Sequence, residues 1–207
     1  MIGIVDYGAG NLGSVYKAFR HIGAHVTVSQ DPSELASADA MVLPGVGAFT
    51  HCMTGLGRAG LTDGVRAFIA TGRPFLGICV GLQMLFDTSD EMGVSPGLGV
   101  LTGRVVRFDH LGRDLPAMKV PHIGWNRLSY RADAALFQGV EQGARAYFVH
   151  SFYAEPAEPT AVSATTDYGY EFCAAVEVGN VHATQFHPEK SGAVGLQMLR
   201  NFAAISA

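Results

Sequence analysis

Over its first 86 residues the chain alternates short apolar runs with stretches whose apolar residues recur at helical spacing. The first run, residues 2–7, ends in a glycine turn, and apolar residues at 12, 15, 19 and 22 follow at the spacing of a helix. Further strands are predicted at 25–30, 40–43 and 74–78, with helices beginning at 31–32 and spanning 61–70 and 80–86. This alternation is typical of a parallel sheet with helices on both faces.

From about residue 89 the chain changes to strand-like segments separated by glycines. These segments cover residues 103–108, 118–130, 145–154, 161–166, 171–178 and 181–186. We expect them to add antiparallel strands to the sheet, and we expect a last amphipathic helix over 194–205. Because no repeat, low-complexity tract or linker is visible, we predict one domain over residues 1–207.

Composition narrows the class of protein. The 207 residues are 48% hydrophobic and carry 14 Lys and Arg against 18 Asp and Glu, a formal net charge of −4. Abundant apolar residues with a small net charge exclude a disordered chain. The sequence has no cluster of basic residues to contact phosphates, so we expect no nucleic-acid partner.

The sequence predicts neither a membrane span nor secretion. The longest uncharged stretch, residues 40–57, approaches the ~20 residues of a bilayer-spanning helix but contains Pro44 and four glycines. The first residues lack the basic region and long apolar stretch of a signal peptide. Three cysteines, at 52, 79 and 173, cannot all be paired in disulfides. These features predict a protein of the reducing cytoplasm.

A glycine-flanked cysteine stands at a predicted junction between strand and helix. Gly77-Ile78-Cys79-Val80-Gly81 follows a buried run and matches the nucleophile-elbow pattern, with Cys in place of Ser. The turn is so tight that a side chain at either glycine would collide with neighbouring backbone, whereas the central side chain projects freely. A helix N-terminus also favours thiolate over thiol. Cys79 is therefore the candidate nucleophile, and an ordinary buried cysteine is the alternative.

A cysteine nucleophile needs a base, and the base needs a group that orients it. His187-Pro188-Glu189 offers both, since residues two apart in an extended chain point to the same face. Pro188 has no N–H and suits the end of a strand, where the active-site groups of open α/β sheets gather. We expect His187 to be the base and Glu189 its orienting partner; a structural histidine is the alternative.

The third element is Pro44-Gly45-Val46-Gly47, directly after the apolar strand at 41–43. Successive backbone N–H groups in such a turn can converge on a developing oxyanion. By itself the pattern is more often only a turn. Here it follows a strand of the same predicted sheet, so we expect it at the same sheet edge as Cys79.

Metal and dinucleotide sites have less support. The sequence has no C-x-x-C or H-E-x-x-H pair, and His51 and Cys52 lack a visible second pair, so we expect no metal and no cofactor. Residues 8–13 match G-x-G-x-x-G, and Asp31 lies at about the required distance of roughly 20 residues. The triad-like groups already account for the site chemistry, so we discount this fingerprint.

Together these residues resemble the class I (triad) glutamine amidotransferases, which hydrolyse the amide of glutamine with Cys, His and Glu. The resemblance covers nearly the whole chain and implies an α/β, flavodoxin-like fold: a doubly wound mixed sheet with helices on both faces. It implies Cys79 as nucleophile, His187 as acid and base, and Glu189 as the orienting carboxylate. It also implies an oxyanion hole formed by the backbone N–H groups of Val46 and Val80. The glutamine pocket that it implies consists of Gly45, Gly47, Gln83, Ser151 and Phe152.

Three strings narrow the resemblance to the glutaminase subunits of imidazole glycerol phosphate synthases. They are Asp-Tyr-Gly-Ala-Gly-Asn-Leu at 6–12, Pro-His-Ile-Gly-Trp-Asn at 121–126 and His-Pro-Glu-Lys-Ser at 187–191. This implies L-glutamine as substrate and a (β/α)8 cyclase partner, which receives ammonia and forms imidazole glycerol phosphate and aminoimidazole carboxamide ribotide in histidine biosynthesis. The residues expected at the partner face are Asn11, Pro121, His122, Ile123, Trp125, Asn126 and Lys190. For Trp125, a packed core position is the alternative.

Three other functions remain open. The chain could be a glutaminase for anthranilate, GMP, carbamoyl phosphate or pyridoxal phosphate synthesis, because the glutamine half-reaction is common to them all. It could be a catalytically silent regulatory subunit, or a stand-alone cysteine peptidase. The strings at 6–12 and 121–126 argue against the first, and the intact elbow, base and orienting acid argue against the second. A peptidase would leave the partner-type string unexplained.

Overall fold

A computed structural model describes residues 1–109 and 118–206; residues 110–117 and 207 of the predicted domain lie outside the described residues. The strands are β1 (Ile2–Val5), β2 (Val26–Ser29), β3 (Ala40–Gly45), β4 (Phe75–Cys79), β5 (Phe86–Ser89), β6 (Ser95–Pro96), β7 (Leu101–Arg107), β8 (His122–Arg127), β9 (Ser129–Tyr130), β10 (Arg145–His150), β11 (Phe152–Pro156), β12 (Val162–Asp167), β13 (Glu171–Val178) and β14 (Val181–Thr184). The α-helices are α1 (Leu12–His21), α2 (Pro32–Ser37), α3 (Phe49–Arg58), α4 (Thr62–Ala70), α5 (Val80–Gln83) and α6 (Gly192–Ile205). Short 3-10 helices lie at Ala135–Phe137, Pro159–Ala161 and Pro188–Lys190.

Eight strands form the main sheet, in the order β2, β1, β3, β4, β14, β13, β12, β9. The first five are parallel to one another, and the last three continue the sheet in antiparallel fashion. Strands β1, β3, β4 and β14 are buried at every residue, as expected when helices cover both faces of a sheet. The predicted fold class is confirmed.

The pairing of the later strands differs from the prediction. We expected the segment at 181–186 to be antiparallel, but β14 is parallel to β4 and lies between β4 and β13. Strands β11, β7, β5 and β6 form a separate four-stranded sheet, and β8 pairs with β10 in a two-stranded one. Local patterns indicate that a segment is extended, but they do not indicate which distant strand it pairs with.

Two helical segments also differ from the prediction. Helix α3 was not predicted, since its sequence includes Gly55 and Gly57, and glycine has a low helix propensity. Gly55 has a packing role, because a Cβ there would lie 3.0 Å from the Tyr7 carbonyl oxygen. The helix predicted over 80–86 ends at Gln83, and Phe86 begins β5. Periodicity cannot separate helix from strand in such a short, mostly apolar run.

The carboxyl ends of β3, β4 and β14 meet at one edge of the main sheet. In the strand register, Gly45 of β3 pairs with Cys79 of β4, and Thr184 of β14 pairs with Ile78. The glycine turn after β3, the cysteine and the segment at 187–189 therefore emerge together, where open α/β sheets bind their ligands. None of the helices in the described ranges has the length and apolar character of a membrane span.

Candidate active site

Cys79 occupies a strained backbone position at the end of β4. Its φ of 57° and ψ of −109° are unfavourable for a residue with a Cβ. A Cβ on Gly81 would lie 1.9 Å from the Leu43 carbonyl oxygen, and one on Gly77 would lie 2.8 Å from the Gly81 carbonyl oxygen. These distances agree with the steric need for both glycines that the sequence indicated. Close packing of backbone thus holds the sulfur at the sheet edge.

His187 and Glu189 meet, but through a local structure other than the extended one we expected. The chain forms a 3-10 turn over Pro188–Lys190. This turn brings the Glu189 carboxylate to the imidazole, with 2.7 Å between Oε1 and Nδ1, and both side chains are buried. The His187 backbone N–H donates to the Tyr147 carbonyl oxygen at 3.0 Å, which ties the histidine to β10.

The protonation of His187 depends on its surroundings. Burial by itself lowers the pKa of this imidazole, but hydrogen bonds to Cys79 and Glu189 more than offset that effect and raise the pKa to about 9. Because a carboxylate oxygen only accepts, Nδ1 carries a proton, and Nε2 is left to bond the Cys79 sulfur. The site therefore favours an imidazolium beside the nucleophile near neutral pH, as an activated cysteine requires.

The turn after β3 is held by two buried side chains. The Tyr7 hydroxyl donates to the Pro44 carbonyl oxygen at 2.7 Å, and the Cys52 thiol donates to the Val46 carbonyl oxygen at 3.4 Å. The peptide that precedes Val46, whose N–H is the predicted oxyanion donor, lies between these two anchored carbonyls. Gly47 completes the turn with a φ of 86°, a conformation that favours glycine.

A cavity of about 600 Å³ adjoins these elements. Most of the predicted site residues line it, namely Asn11, Val46, Gly47, Cys79, Val80, Gln83, Pro121, Ser151, Phe152, His187 and Lys190. Val80 is the first residue of α5, so its N–H belongs to the helix-start groups that have no intrahelical partner. Of the predicted catalytic, oxyanion-hole and glutamine-pocket residues, two lie outside the wall: the Glu189 side chain is fully buried beside His187, and Gly45 packs closely against Val80.

Comparison with known proteins identifies the family. A family model described as glutamine amidotransferase class-I matches residues 3–205. This chain belongs to the class I glutamine amidotransferases. The imidazole glycerol phosphate synthase subunit HisH of Syntrophotalea carbinolica is 51% identical over 203 residues, which cover 98% of each chain. The subunit of the same name from Geobacter metallireducens is 52% identical over 210 residues, covering 100% of this chain and 99% of the relative.

A solved structure described as a glutamine amidotransferase superposes on this chain with a TM-score of 0.74. The two sequences are 21% identical, and the superposition covers 99% of this chain and 98% of the other. At this identity the likeness shows the fold alone. It agrees with the mixed α/β sheet described above.

Four residues in the wall of the amidotransferase cavity were not predicted: Gly10, Glu91, Val149 and His150. Among the described lining residues, Glu91 is the one carboxylate, and the cationic side chains are those of Lys190 and protonated His187. Glu91 is held in place by the Phe49 N–H, which donates to its Oε2 at 2.7 Å. No sequence pattern marks Glu91, because its approach to the site depends on α3. Gly10 belongs to the 6–12 string, and that motif could have been used to predict it as a site residue.

Three of the residues expected at a partner face are exposed, namely Pro121, Ile123 and Trp125. Ile123 and Trp125 of β8 have exposed fractions of 60% and 53%. The Trp125 ring contacts the Tyr147 ring edge-on, with 6.1 Å between centroids. The alternative of a packed core position for Trp125 is therefore excluded, and we call Ile123 and Trp125 the β8 patch.

His122 and Asn126 lie on the opposite side of β8, because alternate residues of a strand face opposite ways. His122 is only 3% exposed, and its Nδ1 lies 3.1 Å from Nε2 of the buried His150. The His122 side chain is therefore buried, and the place of this residue at the partner face stays a prediction. Asn126 is half-buried and donates to the Asp167 carbonyl oxygen at 2.7 Å. The His122 side chain thus contacts β10 of the two-stranded sheet, and the Asn126 side chain ties β8 to β12 of the main sheet.

Proposed function

We propose that this chain is the glutaminase subunit of an imidazole glycerol phosphate synthase, formed by one amidotransferase domain over residues 1–207. The observation that carries the proposal is the Cys79, His187 and Glu189 arrangement beside the cavity. The named relatives, 51% and 52% identical over nearly the full chain, favour this synthase over the other amidotransferases. The reaction needs no cofactor: L-glutamine and water give glutamate and ammonia.

The first half of the reaction acylates Cys79. The thiolate attacks the side-chain carboxamide carbon of glutamine, and the backbone N–H groups of Val46 and Val80 stabilise the negative charge that develops on the carboxamide oxygen. His187 gives its proton to the departing nitrogen, and ammonia leaves as the carbon–nitrogen bond breaks. The raised pKa of His187 suits this step, because the proton is present near neutral pH. A γ-glutamyl thioester remains.

The second half hydrolyses the thioester. His187, now neutral, takes a proton from water as the water oxygen attacks the thioester carbon. The carbon–sulfur bond breaks, its electron pair returns to Cys79, and glutamate leaves. Throughout, the 2.7 Å contact with Glu189 keeps Nδ1 protonated and Nε2 directed at the reacting atoms.

The charges in the cavity wall fit an α-amino acid. Free glutamine carries an ammonium and a carboxylate on its α-carbon, besides the carboxamide that reacts. We assign Glu91 to the ammonium group, since it is the one carboxylate among the described lining residues. Gly47, Gln83, Ser151 and Phe152 complete the pocket around the substrate.

The partner is a (β/α)8 cyclase that receives the ammonia. The β8 patch is its proposed contact, because exposed aromatic side chains are favoured at interface hot spots. Asn11, Pro121 and Lys190 line the cavity and are also expected at this face, so ammonia would leave the cavity between them. Glutamine is then hydrolysed on one side of the interface, and the cyclase uses the ammonia on the other side.

The reducing cytoplasm is the proposed compartment. All three cysteines of the sequence lie among the described residues, and all are free thiols in the buried interior. Disulfides are rare in reducing compartments, where thiols persist.

Replacement of the nucleophile tests the proposal. In the complex with the cyclase, we expect Cys79→Ala to lower glutamine-dependent synthesis by ~10⁴-fold or more, because the covalent route is lost. Synthesis from added ammonium chloride should remain. Glutamate release and imidazole glycerol phosphate formation are the measurements, and Cys173→Ala is the control, since this buried cysteine lies on β13 outside the cavity wall. Near-normal glutamate release by Cys79→Ala would reject the assignment.

A second substitution tests the partner face. We expect Trp125→Ala to weaken cyclase binding by about 10-fold or more. The half-exposed ring contributes little to the fold, so the free energy of unfolding should change by less than about 1 kcal/mol. Titration calorimetry and urea unfolding measure the two quantities. Val178→Ala, at a 41% exposed position at the other end of the sheet, is the control. Equal cyclase affinity in both variants would remove the β8 patch from the interface.

A further inference from the structure

Gln185 lies in the active site, although no role has been assigned to it above. It follows β14, is fully buried and stands two residues before His187. Its side-chain Nε2 lies 3.8 Å from the Cys79 sulfur, a hydrogen-bonding distance for a sulfur acceptor. We propose that Gln185 is a further catalytic residue, whose amide donates a hydrogen bond to the Cys79 thiolate and directs the sulfur toward the substrate.

Hydrogen bonding determines which end of the Gln185 amide faces the sulfur. The Phe152 carbonyl can only accept, so the group 2.9 Å from it is the NH₂ of Gln83. The same NH₂ lies 3.0 Å from the Gln185 amide, which must present its oxygen at that point. The end that remains for Cys79 is the NH₂ of Gln185. We call the Phe152 carbonyl, Gln83 and Gln185 the amide relay.

The carbonyl at the start of the amide relay is itself fixed. His150 Nδ1 lies 2.8 Å from the Phe152 oxygen and must donate to it. Burial lowers the pKa of His150 to about 3, so the ring is neutral and its Nε2 accepts from His122 Nδ1 at 3.1 Å. The Gln185 backbone is fixed as well, since its N–H donates to the Ala174 carbonyl oxygen at 2.8 Å. The relay therefore has one consistent arrangement.

The proposal rests on the proposed glutaminase reaction and gives the sulfur a second donor. While His187 holds its proton, both the imidazolium and the Gln185 amide donate to the thiolate. During hydrolysis of the thioester, the carbon–sulfur bond breaks and its electron pair returns to sulfur. At that moment the amide faces a forming anion, and hydrogen bonds to charged groups are stronger than those between neutral ones.

A purely structural role for Gln185 predicts a different result. If its amide served only to hold Gln83 and the pocket, its replacement would change substrate binding or stability. The ionisation of Cys79 would stay the same. A measurement of thiolate formation that needs no glutamine turnover therefore separates the two roles.

The test is the pH dependence of Cys79 alkylation by iodoacetamide in the full chain, with the label located by mass spectrometry. Gln185→Met keeps the side-chain length and removes the donor, and Gln185→Glu keeps the oxygen that accepts from Gln83. We expect the alkylation midpoint to rise by about one pH unit in Gln185→Met, and kcat for glutamine in the cyclase complex to fall about tenfold. KM should stay within about threefold.

Thr184→Val is the matched control. Thr184 is buried at the same end of β14, and its hydroxyl donates to the Phe186 carbonyl oxygen at 3.0 Å. We expect its alkylation midpoint to equal that of the natural chain. An equal shift in Thr184→Val would overturn the proposal, because the effect would then come from packing at the strand end.

An unchanged midpoint in folded Gln185→Met would also overturn the proposal. If Gln185→Met does not fold, Gln185→Glu decides by the same measurement, since a carboxylate in place of the NH₂ should raise the midpoint further. A natural chain that hydrolyses no glutamine would reject the proposed function. The shift of the alkylation midpoint on replacing Gln185 would still support the contact with sulfur, so the two failures are distinguishable.

Discussion

The two glycine turns of the active site look alike in sequence but are stabilised in different ways. At the elbow, backbone atoms of adjoining segments occupy the space that side chains at Gly77 and Gly81 would need. At the turn after β3, no atom lies within 4 Å of a Cβ built on Gly47, which is needed for its φ of 86° alone. Gly45, where that turn begins, packs closely against Val80, but beyond it hydrogen bonds from Tyr7 and Cys52 hold the turn.

Because of this difference, the position of the nucleophile and the direction of the nearby N–H donor are set by different interactions. The elbow is fixed by close contact between β3, β4 and α5, so a change there disturbs the sheet itself. The turn presents a peptide N–H whose direction depends on a glycine torsion and two hydrogen bonds. A substitution in the turn should therefore lower the rate of catalysis while the fold persists.

Gly81→Ala should have the largest effect. The added methyl group would lie 1.9 Å from the Leu43 carbonyl oxygen, so β3 and α5 cannot keep their separation. We expect the free energy of unfolding in urea to fall by at least about 3 kcal/mol, with all glutaminase activity lost. Gly64→Ala is the control, because this helical glycine of α4 has open space around it and alanine there should stabilise by up to about 1 kcal/mol. Equal stability of the two variants would contradict the steric account of the elbow.

Gly47→Ala should reduce activity far more than stability. A non-glycine residue at positive φ costs about 1–2 kcal/mol, and relief of that strain would redirect the neighbouring Val46 N–H. We expect kcat for glutamine hydrolysis to fall by ~10²–10³-fold, the value of one oxyanion donor. Gly60→Ala has a similar φ of 69° in open space outside the cavity wall, and it should lose stability without loss of kcat. Equal kcat in the two variants would remove the turn from the mechanism.

The smallest expected effect is a shift in the pH at which kcat falls. In the natural chain, kcat should fall as pH rises through about 9, because neutral His187 has no proton for the departing nitrogen. Glu189→Gln removes one of the groups that raise this pKa, so the fall should move to lower pH by about one unit or more. Gly47→Ala should keep the fall near its original pH despite its lower kcat. A common displacement in both variants, seen in pH profiles of the complex, would show that the turn after β3 also sets the pKa of His187.

Sequence patterns were sufficient where the determinants of a structure are neighbours in the chain. The start of α2 is an example, since the Asp31 side chain accepts from the Ser33 N–H at 2.8 Å, as a helix start there requires. The segment predicted at 171–178 is present with those bounds as β13. The parallel direction of β14 was missed, because strand order depends on contacts between distant segments.

The same distinction applies to the candidate site. Cys79, His187 and Glu189 could be named from local motifs, whereas the contact between Gln185 and Cys79 joins residues 106 positions apart. That contact exists because β14 pairs with β4, and no sequence motif indicates this strand pairing. His122 shows a limit of such motifs, since a string typical of a partner face also contains side chains that point into the protein.

The strained backbone of Cys79 has a consequence for how this protein responds to heat. A conformation of this kind costs about 1–3 kcal/mol and persists only while its surroundings enforce it. Warming first loosens exposed ends and loops, whereas Cys79 is buried at the main sheet. The sulfur should therefore keep its orientation for as long as that sheet stays closed. The temperature at which catalysis stops is then set by the opening of the main sheet, and not by local melting of the elbow.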